Sequence, residues 1–222
     1  MELQEALSAL EAFSNDRQRK INTKWGAPDN QFGVKFGDIR KVAKQIKTDH
    51  DLAKMLWATG QVEARLLATL VCKPKAFTLD ELDMMVRSIL WSREADWFLS
   101  YVIRKHPEAD ASREMWMGAD NRWAARAGWD LTSARVPRKH EGVDLSGLLD
   151  RLEADAPDAP EEVQWTMNNT LLAIGIHHAA HRDRAIELGE KLQLFHDYPV
   201  SKGCVSPFAP IAIPEMVARQ NA

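Results

Sequence analysis

The chain has 222 residues, 45% of them hydrophobic, with 29 lysines and arginines against 32 aspartates and glutamates. This length and composition suffice for a buried core, and the two cysteines, Cys72 and Cys204, exclude a disulfide framework and stand in no metal-ligand spacing. The slightly acidic balance excludes a protein that is basic over its whole surface, so binding of nucleic acid requires a local basic face.

The N-terminal residues 1–13 follow an amphipathic helical pattern rather than the pattern of a signal peptide. No segment of the sequence reaches the roughly 18 uninterrupted apolar residues of a membrane span. We therefore expect a cytoplasmic protein without a membrane partner, and we expect it to be a monomer.

Apolar residues recur at helical spacing along the chain, and no stretch alternates as a half-buried strand does. Asp38, Asp49 and Thr78 each precede such a stretch as an N-cap residue, and Glu81 completes a capping box with Thr78. The predicted helices span residues 2–13, 39–46, 50–59, 61–71, 79–90, 92–106, 111–117, 121–136, 161–176 and 179–192.

About ten helices joined by short loops can form a compact bundle or a solenoid of helix pairs. The solenoid fits better, because faint self-similarity is typical of HEAT-like arrays, in which the repeats share shape rather than residues. We therefore predict an all-α fold, an α-solenoid of HEAT-like antiparallel helix pairs. The whole chain, 1–222, is predicted to be one domain, with a helical array over 1–192 and a Pro-rich C-terminal tail over 193–222.

Arg40, Lys44 and Lys47 form a basic stripe, since they recur at helical spacing opposite an apolar face. Such a stripe can contact DNA phosphates, whose number sets the affinity and its salt sensitivity. An ordinary solvated helix face gives the same pattern, so both interpretations stay open.

The segment 121–129 (NRWAARAGW) places guanidinium and indole groups on one helix face. Trp123, Arg126 and Trp129 recur every three residues, and Arg122 lies one turn before Arg126. An arginine can grip a phosphate with its planar fork, and an indole can cover a sugar or a base. The alternative is a core arginine held by an internal carboxylate, with the tryptophans as core filler.

Asp96 is a carboxylate flanked by two indoles, Trp91 and Trp97, near the start of a predicted helix. It can serve as a structural N-cap or as a functional acid that acts together with the arginines of 121–129. His177 and His181 have a spacing that can share a metal ion, but no HExxH pattern surrounds them, and we expect no metal site.

Three stretches carry a resemblance to a known family: 32–44 (FGVKFGDIRKVAK), 56–68 (LWATGQVEARLLA) and 123–127 (WAARA). In this order they resemble repeats of the DNA alkylation repair family, the HEAT-like helical DNA glycosylases. The similarity covers about residues 1–192.

The resemblance implies an enzyme that removes cationic N3- or N7-alkylated purines from duplex DNA, which it holds in its concave surface, without a metal or other cofactor. It assigns the catalytic carboxylate to Asp96 and the phosphate-gripping arginine to Arg126, with Trp123 preceding it. The remaining DNA-binding candidates are Trp91, Arg40, Lys44 and Arg122.

Two positions depart from the family pattern. Trp91 lies five residues before Asp96, where the family has four. Asn169 takes the place of a late tryptophan that the family sets beside the lesion sugar.

A single carboxylate suffices for this chemistry. An alkylated purine already bears a positive charge and leaves without a general acid, while the sugar develops oxocarbenium character that a carboxylate stabilises. The alternative function is a non-catalytic HEAT-like module that binds nucleic acid or protein through its concave face. Asp96 and Arg126 favour the enzyme, whereas Asn169 and the acidic net charge favour the module.

Overall fold

Helices make up the regular secondary structure of the computed structural model, which describes residues 1–138 and 141–220. Over these ranges there is no β-strand, and the predicted all-α fold class is confirmed. No helix in the same ranges is long and apolar enough to cross a membrane. The α-helices are α1 (Leu3–Glu11), α2 (Asp16–Lys24), α3 (Phe36–Ile46), α4 (His50–Ala58), α5 (Val62–Val71), α6 (Leu79–Arg87), α7 (Ser92–Tyr101), α8 (Arg113–Met117), α9 (Arg122–Arg135), α10 (Leu145–Asp155), α11 (Glu161–His177), α12 (Arg182–Leu192) and α13 (Ala209–Gln220).

Local capping explains where several helices begin. The carboxylate of Asp49 accepts a hydrogen bond from the backbone N–H of Leu52 at 3.0 Å, which starts α4. Thr78 and Glu81 each accept a hydrogen bond from the other's backbone N–H, at 3.1 and 2.9 Å, and this capping box starts α6 as predicted. The cap predicted at Asp38 is wrong: α3 begins earlier, at Phe36, and Asp38 pairs with a lysine one turn later.

Contacts divide the chain into two compact units, residues 1–111 and 112–222. In the first unit α5 is the central helix, since nine of its ten residues are buried. It packs against α3, α4 and α7, so these helices share one core. The assignment of the whole chain to one domain stays a prediction.

In the second unit α9 and α11 form the central pair, and they pack along each other over most of their length. The Thr170 hydroxyl donates a hydrogen bond to the carbonyl oxygen of Trp129 at 3.1 Å and joins the two helices. Gly128 lets α8 approach α9 closely, because a Cβ atom at this position would lie only 2.3 Å from the backbone nitrogen of Met117.

Three helices were not predicted from the sequence. Helix α2 lies where a loop was expected; it buries only Asn22 and therefore lacks an apolar period. Helix α10 was also missed. Helix α13 lies in the predicted Pro-rich tail, where Pro210 fits the first turn and Ala212 and Ile213 are buried, and it packs on α11 and α12.

Candidate functional site

The exposed Arg40 of α3 is held by two aromatic side chains of α7. Its guanidinium carbon lies 4.5 Å from the centre of the Trp97 ring, and its Nη2 donates a hydrogen bond to the Tyr101 hydroxyl at 3.1 Å. Trp97 and Tyr101 are one turn apart, and their rings are 5.5 Å apart in an edge-to-face arrangement. Within the described part of the chain no carboxylate pairs with Arg40. Arg40 is therefore an oriented cation that faces solvent.

Two lysines extend this charge into a basic face, which we define as Arg40, Lys44 and Lys105. Lys44 is exposed one turn after Arg40 on α3, and it has no ion pair within residues 1–138 and 141–220. The Lys105 ammonium lies 5.2 Å from the centre of the Tyr101 ring. A local basic face thus exists on a chain whose net charge is −3.

Asp96 lies in the interior of α7 and not at its N-terminus. The helix begins at Ser92 after the N-cap residue Trp91, so the capping role considered for Asp96 is wrong. The Asp96 side chain is 39% exposed, and one of its oxygens lies 3.7 Å from the Arg93 guanidinium one turn earlier. Exposed pairs of this kind contribute little to stability. The carboxylate is accessible to a ligand, and it is the sequence neighbour of Trp97.

The second acid of α7, Glu94, has a structural role that the sequence did not reveal. It is buried, and its Oε1 lies 2.9 Å from Nη1 of Arg65 on α5. Arg65 also donates hydrogen bonds to the carbonyl oxygens of Trp57 and Ser88. Burial raises the pKa of Glu94, and the nearby Arg65 partly offsets that rise. This buried ion pair fixes α7, and with it Asp96, against α5.

A second buried carboxylate, Glu63, fixes the loop that leads into α3. Its two oxygens accept hydrogen bonds from the backbone N–H groups of Phe32, Gly33 and Val34, at 2.8 to 3.0 Å. Gly33 has a φ of +77°, and a Cβ atom there would lie 2.5 Å from the carbonyl oxygen of Asn15. The 32–44 and 56–68 motifs thus share a structural role. Glu63 of the second motif and Gly33 of the first fix the loop that positions α3 and, with it, Arg40.

Trp91, a predicted DNA contact, is a core residue. It is 3% exposed, and its indole N–H donates a hydrogen bond to the carbonyl oxygen of Trp25 at 2.7 Å. A side chain so deeply buried secures the end of α2 and offers almost no surface to a ligand. The structure therefore gives no support to direct contact between Trp91 and DNA.

In the second unit the residues of 121–129 divide into buried and exposed ones. Arg126 is 5% exposed, and its Nη1 donates a hydrogen bond to the backbone carbonyl oxygen of Glu162 at 2.7 Å. Trp123 is also 5% exposed. Arg122 is half-exposed, lies 5.1 Å from the Trp123 ring and pairs with the Glu162 carboxylate at 3.4 Å. Arg126 therefore holds α9 on α11 and Trp123 is a core residue, whereas Arg122 can reach a ligand.

Asn169 is partly exposed on α11, one turn after Trp165. The Trp165 ring contacts Phe195 and Tyr198, which come from the segment between α12 and α13. An indole is thus present one turn from the position where the sequence has asparagine.

The histidines do not form a metal site in the part of the chain that the structure describes, where no three metal-ligating side chains come together. His178 Nε2 lies 3.1 Å from the carbonyl oxygen of Val136. The pKa of His177 is lowered, chiefly by burial and to a lesser extent by the neighbouring His178.

Comparison with known proteins agrees with this architecture. The model of the DNA alkylation repair enzyme family matches residues 6–197. An uncharacterised protein of Listeria innocua, Lin0241, is 23% identical over 218 residues, which cover 96% of this chain and 94% of that protein.

A solved structure is similar with a TM-score of 0.74 and 24% sequence identity, over 86% of this chain and 83% of that chain. It is described as a member of "a new family of proteins related to the HEAT-like repeat DNA glycosylases with affinity for branched DNA structures". This likeness confirms the predicted HEAT-like fold, and the match over residues 6–197 shows that the chain belongs to the DNA alkylation repair enzyme family.

Proposed function

We propose that this protein binds duplex DNA through the basic face and excises cationic N3- or N7-alkylated purines, with Asp96 as the catalytic carboxylate. One observation carries the proposal: α7 bears the accessible Asp96 and, directly after it, the aromatic residue Trp97 that orients Arg40. A phosphate anchor on α3 and an acid on α7 are therefore positioned by two helices that both pack on α5.

The basic face supplies the affinity. Arg40 is oriented before DNA arrives, so little side-chain entropy is lost when it grips a phosphate. Lys44 and Lys105 add charge on the same face, and Arg122 is a further phosphate contact proposed for the second unit. Arg126 acts indirectly in this scheme, because it holds α9, from which Arg122 projects, on α11. The buried Trp123 takes no direct part in binding.

The carboxylate supplies the chemistry. When the bond between sugar C1′ and the purine nitrogen breaks, its electron pair neutralises the cationic purine, and the sugar becomes an oxocarbenium ion. Asp96 stabilises this ion and orients the water that adds to C1′. The water then gives up a proton to the carboxylate or to solvent. No metal or other cofactor takes part in the steps proposed here.

Binding without excision is the second candidate function. It is favoured by Asn169 in place of a tryptophan and by the burial of Trp91 and Trp123, which leaves Asp96 without those indoles as ligand contacts. The solved relative with affinity for branched DNA belongs to a group only related to the glycosylases. We expect Asn169→Trp to raise base release if a sugar-facing indole is what a weak enzyme lacks.

One experiment distinguishes the two candidate functions. Methylated duplex DNA is incubated with the protein, and binding and released methylated purine are measured on the same samples at several salt concentrations. Salt-dependent binding with base release supports the enzyme, and salt-dependent binding without release supports the non-catalytic module. Absence of salt-dependent duplex binding would contradict both and favour a protein partner.

A further inference from the structure

Three aromatic side chains form a cluster on the second unit, which we call the aromatic platform: Trp165, Phe195 and Tyr198. The ring centres of Trp165 lie 5.2 Å from Phe195 and 5.4 Å from Tyr198, and those of Phe195 and Tyr198 are 5.9 Å apart. Tyr198 is 40% exposed, and the other two are partly exposed. Aromatic rings that pack on each other and still face solvent are available to a further ring.

The backbone at Phe195, one of the platform residues, is in an unfavourable conformation. After α12 the chain passes through two non-glycine residues with left-handed backbone, Gln193 with φ +53° and Phe195 with φ +59°. This region is costly for a bulky residue such as phenylalanine, and such conformations persist where the surrounding contacts impose them. The N–H of Tyr198 donates to the carbonyl oxygen of Phe195 at 3.1 Å, which closes the turn.

Further contacts secure the turn from the other side. The His196 ring lies 4.9 Å from the ring of Phe208, which is buried just before α13. Helix α13 in turn packs on α11 and α12, so the segment that presents Phe195 and Tyr198 is fixed at both ends. The platform is therefore a built surface rather than a loose end of the chain.

Polar groups flank the platform along α11. Glu162 lies three residues before Trp165 and Asn169 four residues after it, so all three are on one side of the helix. The Glu162 carboxylate holds Arg122 at 3.4 Å, with half of the arginine side chain exposed. The aromatic surface thus has an amide beside it that suits the edge of a base, and the exposed ion pair of Arg122 and Glu162, in which the guanidinium can take a phosphate in place of the carboxylate.

We infer that the aromatic platform is a stacking site for an unpaired nucleobase, with Arg122 on the adjoining phosphate and Asn169 beside the base edge. The inference rests on the proposed DNA binding and adds the structural class of DNA that is preferred. Bases inside a duplex are covered on both faces by their neighbours, whereas an unpaired or extruded base offers a face to an aromatic side chain. The cation at the border favours a nucleotide over a purely apolar peptide segment.

The test uses two DNA probes of the same sequence that carry the fluorescent base 2-aminopurine. In one probe the base is paired within a duplex, and in the other it is unpaired in a single-nucleotide bulge. We expect the full-length protein to bind the bulged probe more tightly and to quench its fluorescence. Tyr198→Ala should reduce this preference on the order of tenfold and leave the affinity for the paired probe unchanged.

Two conservative variants separate stacking from other roles of Tyr198. Tyr198→Phe keeps the ring and should keep the preference and the quenching, whereas Tyr198→Leu keeps apolar bulk without an aromatic face and should lose both. Thermal unfolding of each variant verifies that the fold is intact, which we expect because Tyr198 is an exposed side chain.

The outcomes distinguish this inference from the proposed function. Equal binding of both probes by the wild type, or an undiminished preference in Tyr198→Ala or Tyr198→Leu, overturns the stacking site and leaves duplex binding standing. Failure to bind either probe overturns the stacking site and the proposed function together.

Discussion

Arg40 on α3 and Trp97 on α7 are in direct contact, with the guanidinium carbon 4.5 Å from the centre of the indole ring. The contact joins a residue of the basic stripe to the immediate sequence neighbour of Asp96. Because the buried pair of Arg65 and Glu94 fixes α7 to α5, the cation and the acid are positioned by one rigid set of helices.

Arg40→Ala should weaken duplex binding on the order of tenfold, because a charged, oriented phosphate contact is lost. The slope of log K against log salt should become less steep by about 0.9, the value for one phosphate contact. Binding titrations over a range of salt concentrations measure both effects. Arg219→Ala is the control, since Arg219 pairs with Glu215 on the surface of α13 and should change neither quantity.

Tyr101→Phe tests whether the orientation of Arg40 matters. The substitution removes the hydroxyl that accepts the hydrogen bond from Arg40 but keeps the ring and the cation. Duplex affinity should fall by only a few-fold, corresponding to about 0.5–1.5 kcal/mol, with the salt slope unchanged. A slope that fell as far as it does in Arg40→Ala would show that the hydroxyl is needed for the phosphate contact itself.

Glu94→Leu should destabilise the fold by about 3–5 kcal/mol, because it leaves the Arg65 cation buried without its carboxylate. Urea unfolding measures the loss. Glu153→Leu is the matched control: Glu153 pairs with Lys191 at the surface, and loss of that pair should cost less than about 1 kcal/mol. Similar losses in the two variants would argue against a structural role for the Arg65–Glu94 pair.

The two cysteines should differ sharply in their reactivity toward alkylating reagents. Burial raises the pKa of the Cys72 thiol to about 11, so at mildly alkaline pH it stays protonated and covered, while Cys204 is exposed. Mass spectrometry of the native protein after iodoacetamide treatment should find modification of Cys204 alone, and denaturant should add Cys72. Modification of both residues at the same rate in the native state would contradict the buried position of Cys72.

The sequence predicted those features whose cause is local. Asp49, Thr78 and Glu81 cap helices through neighbours three residues away, and such signals need no knowledge of the fold. The amphipathic pattern of α3 likewise placed Arg40 on an exposed face. Helix α2 was missed because it is polar on nearly all sides.

Features that depend on tertiary contacts could not be predicted from the sequence pattern. The interaction of Arg40 with Tyr101 joins residues 61 positions apart, and the hydrogen bond from Trp91 to Trp25 joins residues 66 positions apart. The residue spacing and the family resemblance suggested that Trp91 and Trp123 could face DNA, but burial depends on which helices pack over them. Nothing in the sequence around Arg126 indicated that its guanidinium would donate a hydrogen bond to a backbone carbonyl oxygen of α11.

Catalysis by Asp96 is tested most directly by the release of methylated purine from methylated duplex DNA, measured for the wild type and for Asp96→Asn. Asparagine keeps the size of the side chain but removes the charge that stabilises the sugar cation, so release should fall by a factor on the order of a hundred or more. DNA affinity should stay nearly unchanged, and Asp51→Asn, an exposed substitution on α4, should behave as the wild type. Equal release by the wild type and Asp96→Asn would contradict the account.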